Sequence, residues 1–251
     1  MLPEIFKIGP VTIHSFGMAL AVAFLLIAWL LGRECRRRGR SPDLGGNVTL
    51  AAMIGGVVGA KIYYLIDHGT ETLRDPLGSI FSGSGLTYYG GLIGGAIAVI
   101  LVARRNRIPL DVMGDIGAPF LALGYGVGRI GCFLNGDDYG KPTESWFGMA
   151  FPKGQPPTPP GVEVIPTQAI ESAAGLALFA FLWSVRKRWE ARPGRLFGAY
   201  LVLAGLERFL VEYLRTNEPV GPLTAAQWMS AALVSVGIWL LIRSARAPSR
   251  A

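Results

Sequence analysis

The chain has 251 residues, 51% of them hydrophobic and only 16% charged, with a formal net charge of +7. A composition this apolar argues against one or two soluble domains and for a membrane protein. The positive charge falls in short clusters between apolar runs, a pattern that reads as membrane topology and gives no reason to propose a nucleic-acid partner.

In chain order, apolar segments of spanning length are read at 11–31, 48–66, 86–103, 116–134, 167–185, 196–214 and 223–242. The expected fold is all-α, a polytopic membrane bundle of about seven transmembrane helices, with residues 1–251 forming a single transmembrane domain. The loop after the first segment holds Arg33, Arg36, Arg37, Arg38 and Arg40, and the loop after the third holds Arg104, Arg105 and Arg107. The loop after the fifth holds Arg186, Lys187, Arg188, Arg192 and Arg195, and the tail holds Arg243, Arg246 and Arg250. By the positive-inside rule these clusters are cytoplasmic, which puts the N-terminus outside and the C-terminus in the cytoplasm. The basic cluster follows the first apolar run, which argues against a secretory signal peptide. The outer face then receives the loops 67–85, 135–166 and 215–222. The middle one is Pro-rich, with GQPPTPPG at 154–161, and long enough to act as a lid or arm on the membrane surface.

Several motifs stand on this frame. Gly55 and Gly59, Gly90 and Gly94, Gly91 and Gly95, and Gly124 and Gly128 are spaced by four, which marks faces where helices approach closely. Tyr88, Tyr89, Gly90 and Gly91 open the third segment at the outer face, as a headgroup contact or an interfacial aromatic belt. GRIGCFLNGDDYG at 128–140 places Arg129 late in a span and follows it with Asn135, Asp137 and Asp138. A guanidinium at membrane depth needs a partner, and its fork matches phosphate oxygens, so a phospholipid phosphate is the expected one. Arg208, Glu212 and Arg215 stand at i, i+4 and i+7 and are expected to share a helix face, with Glu212 orienting one arginine and the other left for an anion. His14, Lys61, Gln168 and Glu171 are further polar groups within the segments. Cys35 and Cys132 fall at different depths, so no disulfide and no metal site is expected of them.

These blocks resemble the prolipoprotein diacylglyceryl transferase family. That family's signature is an Arg followed by Gly, Asn, Phe, a hydrophobic residue, Asn, Gly, Glu and a closing Gly, and GRIGCFLNGDDYG is similar to it. IHSFGMALA from Ile13, GLTYYGGLIGG from Gly85, PTQAIES from Pro166, RPGRLFGAYLVLAGLERFLVEYLR from Arg192 and LTAAQWMS from Leu223 fall in the family's order over nearly the whole chain. The resemblance implies a multi-pass enzyme of the bacterial inner membrane, with the 135–166 loop periplasmic. Such an enzyme moves the diacylglyceryl group of phosphatidylglycerol to the lipobox cysteine thiol of a preprolipoprotein, forming a thioether and releasing glycerol phosphate, with no cofactor and no metal. Its partners are the lipid bilayer, phosphatidylglycerol and the lipobox peptide. The expected catalytic residues are Arg129, Arg208, Glu212 and Tyr89. Substrate binding is expected of Arg129, Asn135, Asp137, Gly90, Gly91, His14, Arg215 and Gln168.

The chain departs from the family pattern at five positions. Cys132 stands for the signature's Asn, Asp137 for its Glu, Tyr89 for a histidine proposed as base, Ile165 for a frequent histidine and Phe16 for a tyrosine. A phenol is a poor base near neutral pH. The residues therefore leave open a divergent phosphatidylglycerol-binding membrane protein with another acceptor or no transferase activity.

Overall fold

A computed structural model of the chain describes residues 1–9, 11–81 and 87–246. A hairpin of β1 (Glu4–Ile8) and β2 (Val11–His14) leads into α1 (Ser15–Arg37) and α2 (Asp43–Asp67), followed by the short α3 (Gly69–Arg74) and α4 (Pro76–Phe81). Then come α5 (Tyr88–Arg105), α6 (Leu110–Asn135), α7 (Thr167–Trp189) and α8 (Arg195–Val211), a second small hairpin of β3 (Pro219–Val220) and β4 (Leu223–Thr224), and α9 (Ala225–Arg246). Gly85 and Leu86 of the GLTYYGGLIGG block and Arg250 of the tail lie outside the described residues.

The protein is mostly helical, and α1, α2, α6, α7 and α9 are long and apolar enough to cross a membrane. The other two long helices, α5 and α8, have 18 and 17 residues. Each expected apolar segment coincides with one of these seven helices, and large apolar side chains such as Leu25, Ile54, Val57, Ile62 and Ile97 point outward from them. The all-α expectation holds apart from the two hairpins. The first apolar run does not begin as helix: Val11, Thr12 and Ile13 pair with β1, as β-branched residues favour, and Gly9 makes the turn at φ 57°. The helix starts at Ser15, whose N–H donates to Pro3 O at 3.0 Å. His14 is consequently an exposed strand residue opposite Glu4 rather than part of a span.

The chain forms two compact units, one of Met1–Ile27 with Gly114–Ala251, the other of Ala28–Met113. In the second unit α2 and α5 meet backbone to backbone. A Cβ on Gly55 would lie 2.7 Å from Gly94 O, and one on Gly59 would lie 2.7 Å from Gly94 Cα, so the four-residue glycine spacing there is a packing device.

In the first unit Ala118, Ala122, Leu182, Leu196 and Ala199 form a core shared by α6, α7 and α8. Here the close approach of α6 to α7 is made by Gly126 and Gly175, since a Cβ on Gly175 would stand 3.0 Å from Gly126 Cα. Gly128, expected to pack, faces open space among the described residues. Asp115 of α6 is buried and accepts the N–H groups of Gly194 and Phe197 at 2.7 and 2.8 Å, capping the start of α8 from another helix. The Pro-rich loop is folded down by its own backbone. Gly140 N donates to Ile165 O at 2.8 Å, Thr143 N to Glu163 O at 2.9 Å, and Lys141 N to Leu214 O at 2.8 Å. Phe151, 2% exposed, anchors it between Tyr139 and Phe133.

Candidate functional site

The first unit gathers its charges where α6 ends, α7 begins and α8 gives way to a 3-10 turn. Arg129 lies on α6 one turn after Tyr125, with its guanidinium 5.3 Å from that ring's centre. Nη1 donates to Asp138 Oδ2 at 2.8 Å, and Nε lies 3.2 Å from Glu171 Oε2. Arg215 meets the same two carboxylates. Its Nη2 stands 2.9 Å from Asp138 Oδ1 and its Nη1 3.6 Å from Glu171 Oε2, and Nη1 also donates to the backbone oxygen of Asp138 at 3.1 Å.

Arg129 is therefore paired with carboxylates of the chain itself, Asp138 and Glu171, where a phosphate is the partner expected from sequence. A buried guanidinium left without an anion would be costly, and these two carboxylates supply the countercharge. The Asp138 carboxylate sits at the open side of the cluster with its side chain 48% exposed. Burial by itself would raise its pKa, but Arg215 and then Arg129 outweigh that and hold it below the ordinary carboxylate value.

The start of α7 builds the floor. Thr167, Gln168 and Glu171 are fully buried on its first two turns. Thr167 Oγ1 donates to Asp138 O at 2.9 Å and Gln168 Nε2 to Asp137 O, so two side chains clamp two successive carbonyls of the loop that leaves α6. Glu171 Oε1 accepts the Tyr125 hydroxyl at 3.0 Å. Glu171 is a member of the cluster that sequence reading had noted only as a polar group inside a segment.

One expectation changes. Arg208 and Glu212 do pair, at 2.7 Å one turn apart, and Asn217 Nδ2 steadies the other Glu212 oxygen at 2.9 Å. Arg215 does not share their face. The α-helix ends at Val211, Glu212–Leu214 tightens to 3-10, and Arg215 is extended with ψ 163°, which turns its side chain to Asp138 and Glu171. The two acidic residues after Arg129 make different contacts. Asp137 turns to Asn135, whose Nδ2 donates to its Oδ2 at 2.6 Å, and Asp138 takes the arginines. The cause is backbone: Gly136 and Asp138 are left-handed, with φ 73° and 58°, so successive side chains diverge. The Cys132 sulfur and carboxylate oxygens of Asp137 and Asp138 come within 4.8 Å of one another, a grouping the sequence spacing did not suggest.

The remaining expected residues are carried by other elements. Tyr89, Gly90 and Gly91 open α5 in the second unit. Gly90 is buried, and its Cβ position faces Gly59 O and Tyr63 Cβ of α2 at 2.5 Å, so its lack of a side chain serves helix packing. Tyr89 is exposed. His14 is held on the N-terminal hairpin, which is tied to the end of α6 by Leu2 N donating to Leu134 O at 3.1 Å. Chemically, the first-unit cluster presents two guanidiniums above a fixed buried carboxylate, an arrangement suited to an oxyanion that brings its own charge.

A family model described as prolipoprotein diacylglyceryl transferase matches residues 3–243. Relatives named phosphatidylglycerol–prolipoprotein diacylglyceryl transferase cover nearly all of the chain. The Clostridium tetani protein is 33% identical over 96% of this chain and 96% of its own length. That of Xanthomonas axonopodis pv. citri is 36% identical over 98% and 92%. A Clostridium perfringens relative, whose name carries the number 2, is 35% identical over 96% and 93%.

Proposed function

The chain belongs to the prolipoprotein diacylglyceryl transferase family, and from that premise we propose that it transfers the diacylglyceryl group of phosphatidylglycerol to the lipobox cysteine of preprolipoproteins. The observation that carries this reading is the match over residues 3–243, because it includes both arginine-bearing segments and the loop between them. In the reaction the cysteine sulfur forms a bond to the terminal glyceryl carbon as the carbon–oxygen bond to phosphate breaks. The electron pair leaves on the phosphate oxygen, glycerol phosphate departs and the thiol proton is released.

Charge accumulates on the leaving phosphate, so fixed cations lower the barrier. Arg129 and Arg215 are assigned to the phosphate, and Arg208, oriented by Glu212, to the same developing charge or to the incoming thiolate. With an ordinary thiol pKa of about 8.5, a few per cent of thiolate is present at neutral pH, which permits transfer without a dedicated base. Tyr89 then serves as a hydrogen-bond donor to a phosphate or glycerol oxygen, while Asn135, Asp137 and Gln168 shape the loop around the headgroup. Gly90, Gly91 and His14 complete the proposed substrate-binding set. The proposed setting is a single seven-span domain in the bacterial inner membrane, N-terminus and 135–166 loop periplasmic, C-terminus cytoplasmic. Two features support it: the alternation of basic loops and the five helices able to span. Purified protein incubated with phosphatidylglycerol and a lipobox peptide should add one diacylglyceryl group to the peptide by mass spectrometry; an unmodified peptide, with folded protein and both substrates present, refutes the reading.

A further inference from the structure

Asp138 differs from every other charged member of the cluster in facing outward. Its side chain is 48% exposed, against 15% for Arg129, 10% for Arg215 and 0% for Glu171. Its two oxygens are shared between two guanidiniums, Oδ2 to Arg129 at 2.8 Å and Oδ1 to Arg215 at 2.9 Å. One oxygen to each arginine is the arrangement in which the two non-bridging oxygens of a phosphodiester would be held.

The charges point the same way. Arg129 and Arg215 are paired with Glu171 and Asp138. A phosphodiester monoanion entering with Asp138 in place would leave a surplus negative charge in a largely desolvated site, whereas one that replaces the Asp138 carboxylate restores neutrality. Glu171 cannot be the group that yields, being fully buried and tied to Tyr125. The Asp138 side chain is free to leave without unravelling the loop, because its backbone oxygen is held independently by Thr167 Oγ1 at 2.9 Å and by Arg215 Nη1 at 3.1 Å.

We propose that Asp138 occupies the position a phosphodiester would take between Arg129 and Arg215 and is displaced by the lipid phosphate, so that this one carboxylate tunes the site's affinity for a monoanionic phosphate. The proposal rests on the reading of Arg129 and Arg215 as phosphate-binding. Between the two arginines Asp138 keeps the guanidiniums spread to the width of two oxygens; when the phosphate enters, it exchanges its ion pairs for solvent.

Asp138→Asn removes the charge and keeps a residue that tolerates φ 58°; Asp138→Gly serves as a second variant at the same backbone. Binding of a short-chain phosphatidylglycerol and of the matching short-chain diacylglycerol, which lacks the phosphate, is measured by calorimetry on the full chain in detergent. Both variants should bind the phosphatidylglycerol about fivefold more tightly than the parent, the scale of losing one partly exposed competing ion pair, with no change for the diacylglycerol. Arg129→Ala should weaken phosphatidylglycerol binding more than about tenfold. If Arg129→Ala weakens binding but both Asp138 variants bind equally or more weakly than the parent, Asp138 positions the arginines and the displacement proposal is overturned alone. Equal tightening for the diacylglycerol also overturns it. Unchanged binding by Arg129→Ala overturns the phosphate reading itself.

Discussion

Tyr125 donates its hydroxyl proton to one oxygen of Glu171 at 3.0 Å, and that bond fixes the other oxygen toward Arg129 and Arg215, at 3.2 and 3.6 Å. Glu171 is thus the fixed negative floor beneath two cations. Glu171→Gln keeps the shape and deletes the charge, leaving two poorly solvated guanidiniums with Asp138 alone. Transfer to a lipobox peptide should fall by about a hundredfold or more, on the scale of losing a preorganised charge. Tyr125→Phe, which removes one neutral donor, should cost about tenfold or less. The order of the two losses, read from peptide product with matched folded protein, checks the assignment.

Arg129→Lys keeps the charge but not the fork that spans Asp138 and Glu171. Most of the activity should be lost at a normal protein level, because a compact ammonium cannot make both contacts. Turnover near that of the parent would show that a generic positive charge suffices.

Tyr89→Phe tests the position at which the family pattern has a histidine. If the arginines carry the reaction and the thiolate forms without a base, the variant should slow transfer by about tenfold or less. Arg208→Ala should slow it by about a hundredfold or more. Equal inactivity of the two would make Tyr89 an obligatory proton-transfer group.

Gly59→Ala places a methyl group 2.7 Å from Gly94 Cα, where the backbones of α2 and α5 must part to receive it. The expected loss is about 1–3 kcal/mol, as for other overpacked contacts. Gly46→Ala on the same helix meets nothing within 4 Å and should be neutral or stabilising. Thermal unfolding in one detergent compares them directly.

Single cysteines at Lys153, in the Pro-rich loop, and at Arg188, in the last turn of α7, should react with a membrane-impermeant thiol reagent from opposite sides in a background lacking Cys35 and Cys132. Reaction of both from one side would reverse or break the proposed topology.

The arginines were legible in the sequence because a charge inside an apolar run is conspicuous, and the Arg208–Glu212 pair because helical spacing brings i and i+4 together. Glu171 was not. Its partners Tyr125, Arg129 and Arg215 are brought to it across a Pro-rich loop and a helix end, and no local periodicity records that closure. The different contacts of Asp137 and Asp138 were hidden for a different reason. It turns on a left-handed φ at a non-glycine residue, which composition does not announce. Arg215 was misplaced because the helical register was carried four residues past Val211, where the α-helix ends and tightens to 3-10. The N-terminal hairpin was missed because hydropathy treats Val11, Thr12 and Ile13 as the beginning of an apolar run without weighing their preference for extended backbone.

The cap that Asp115 places on α8 makes that carboxylate the pivot of a pair of dividers. One leg is α6, whose far point is Arg129; the other is α8, whose far point is Arg208. Each leg runs several helical turns from the pivot, so a small change of angle there is magnified at the tips. A substitution at Asp115 would thus act on the separation of Arg129 and Arg208 from a point far along both helices, without touching either arginine.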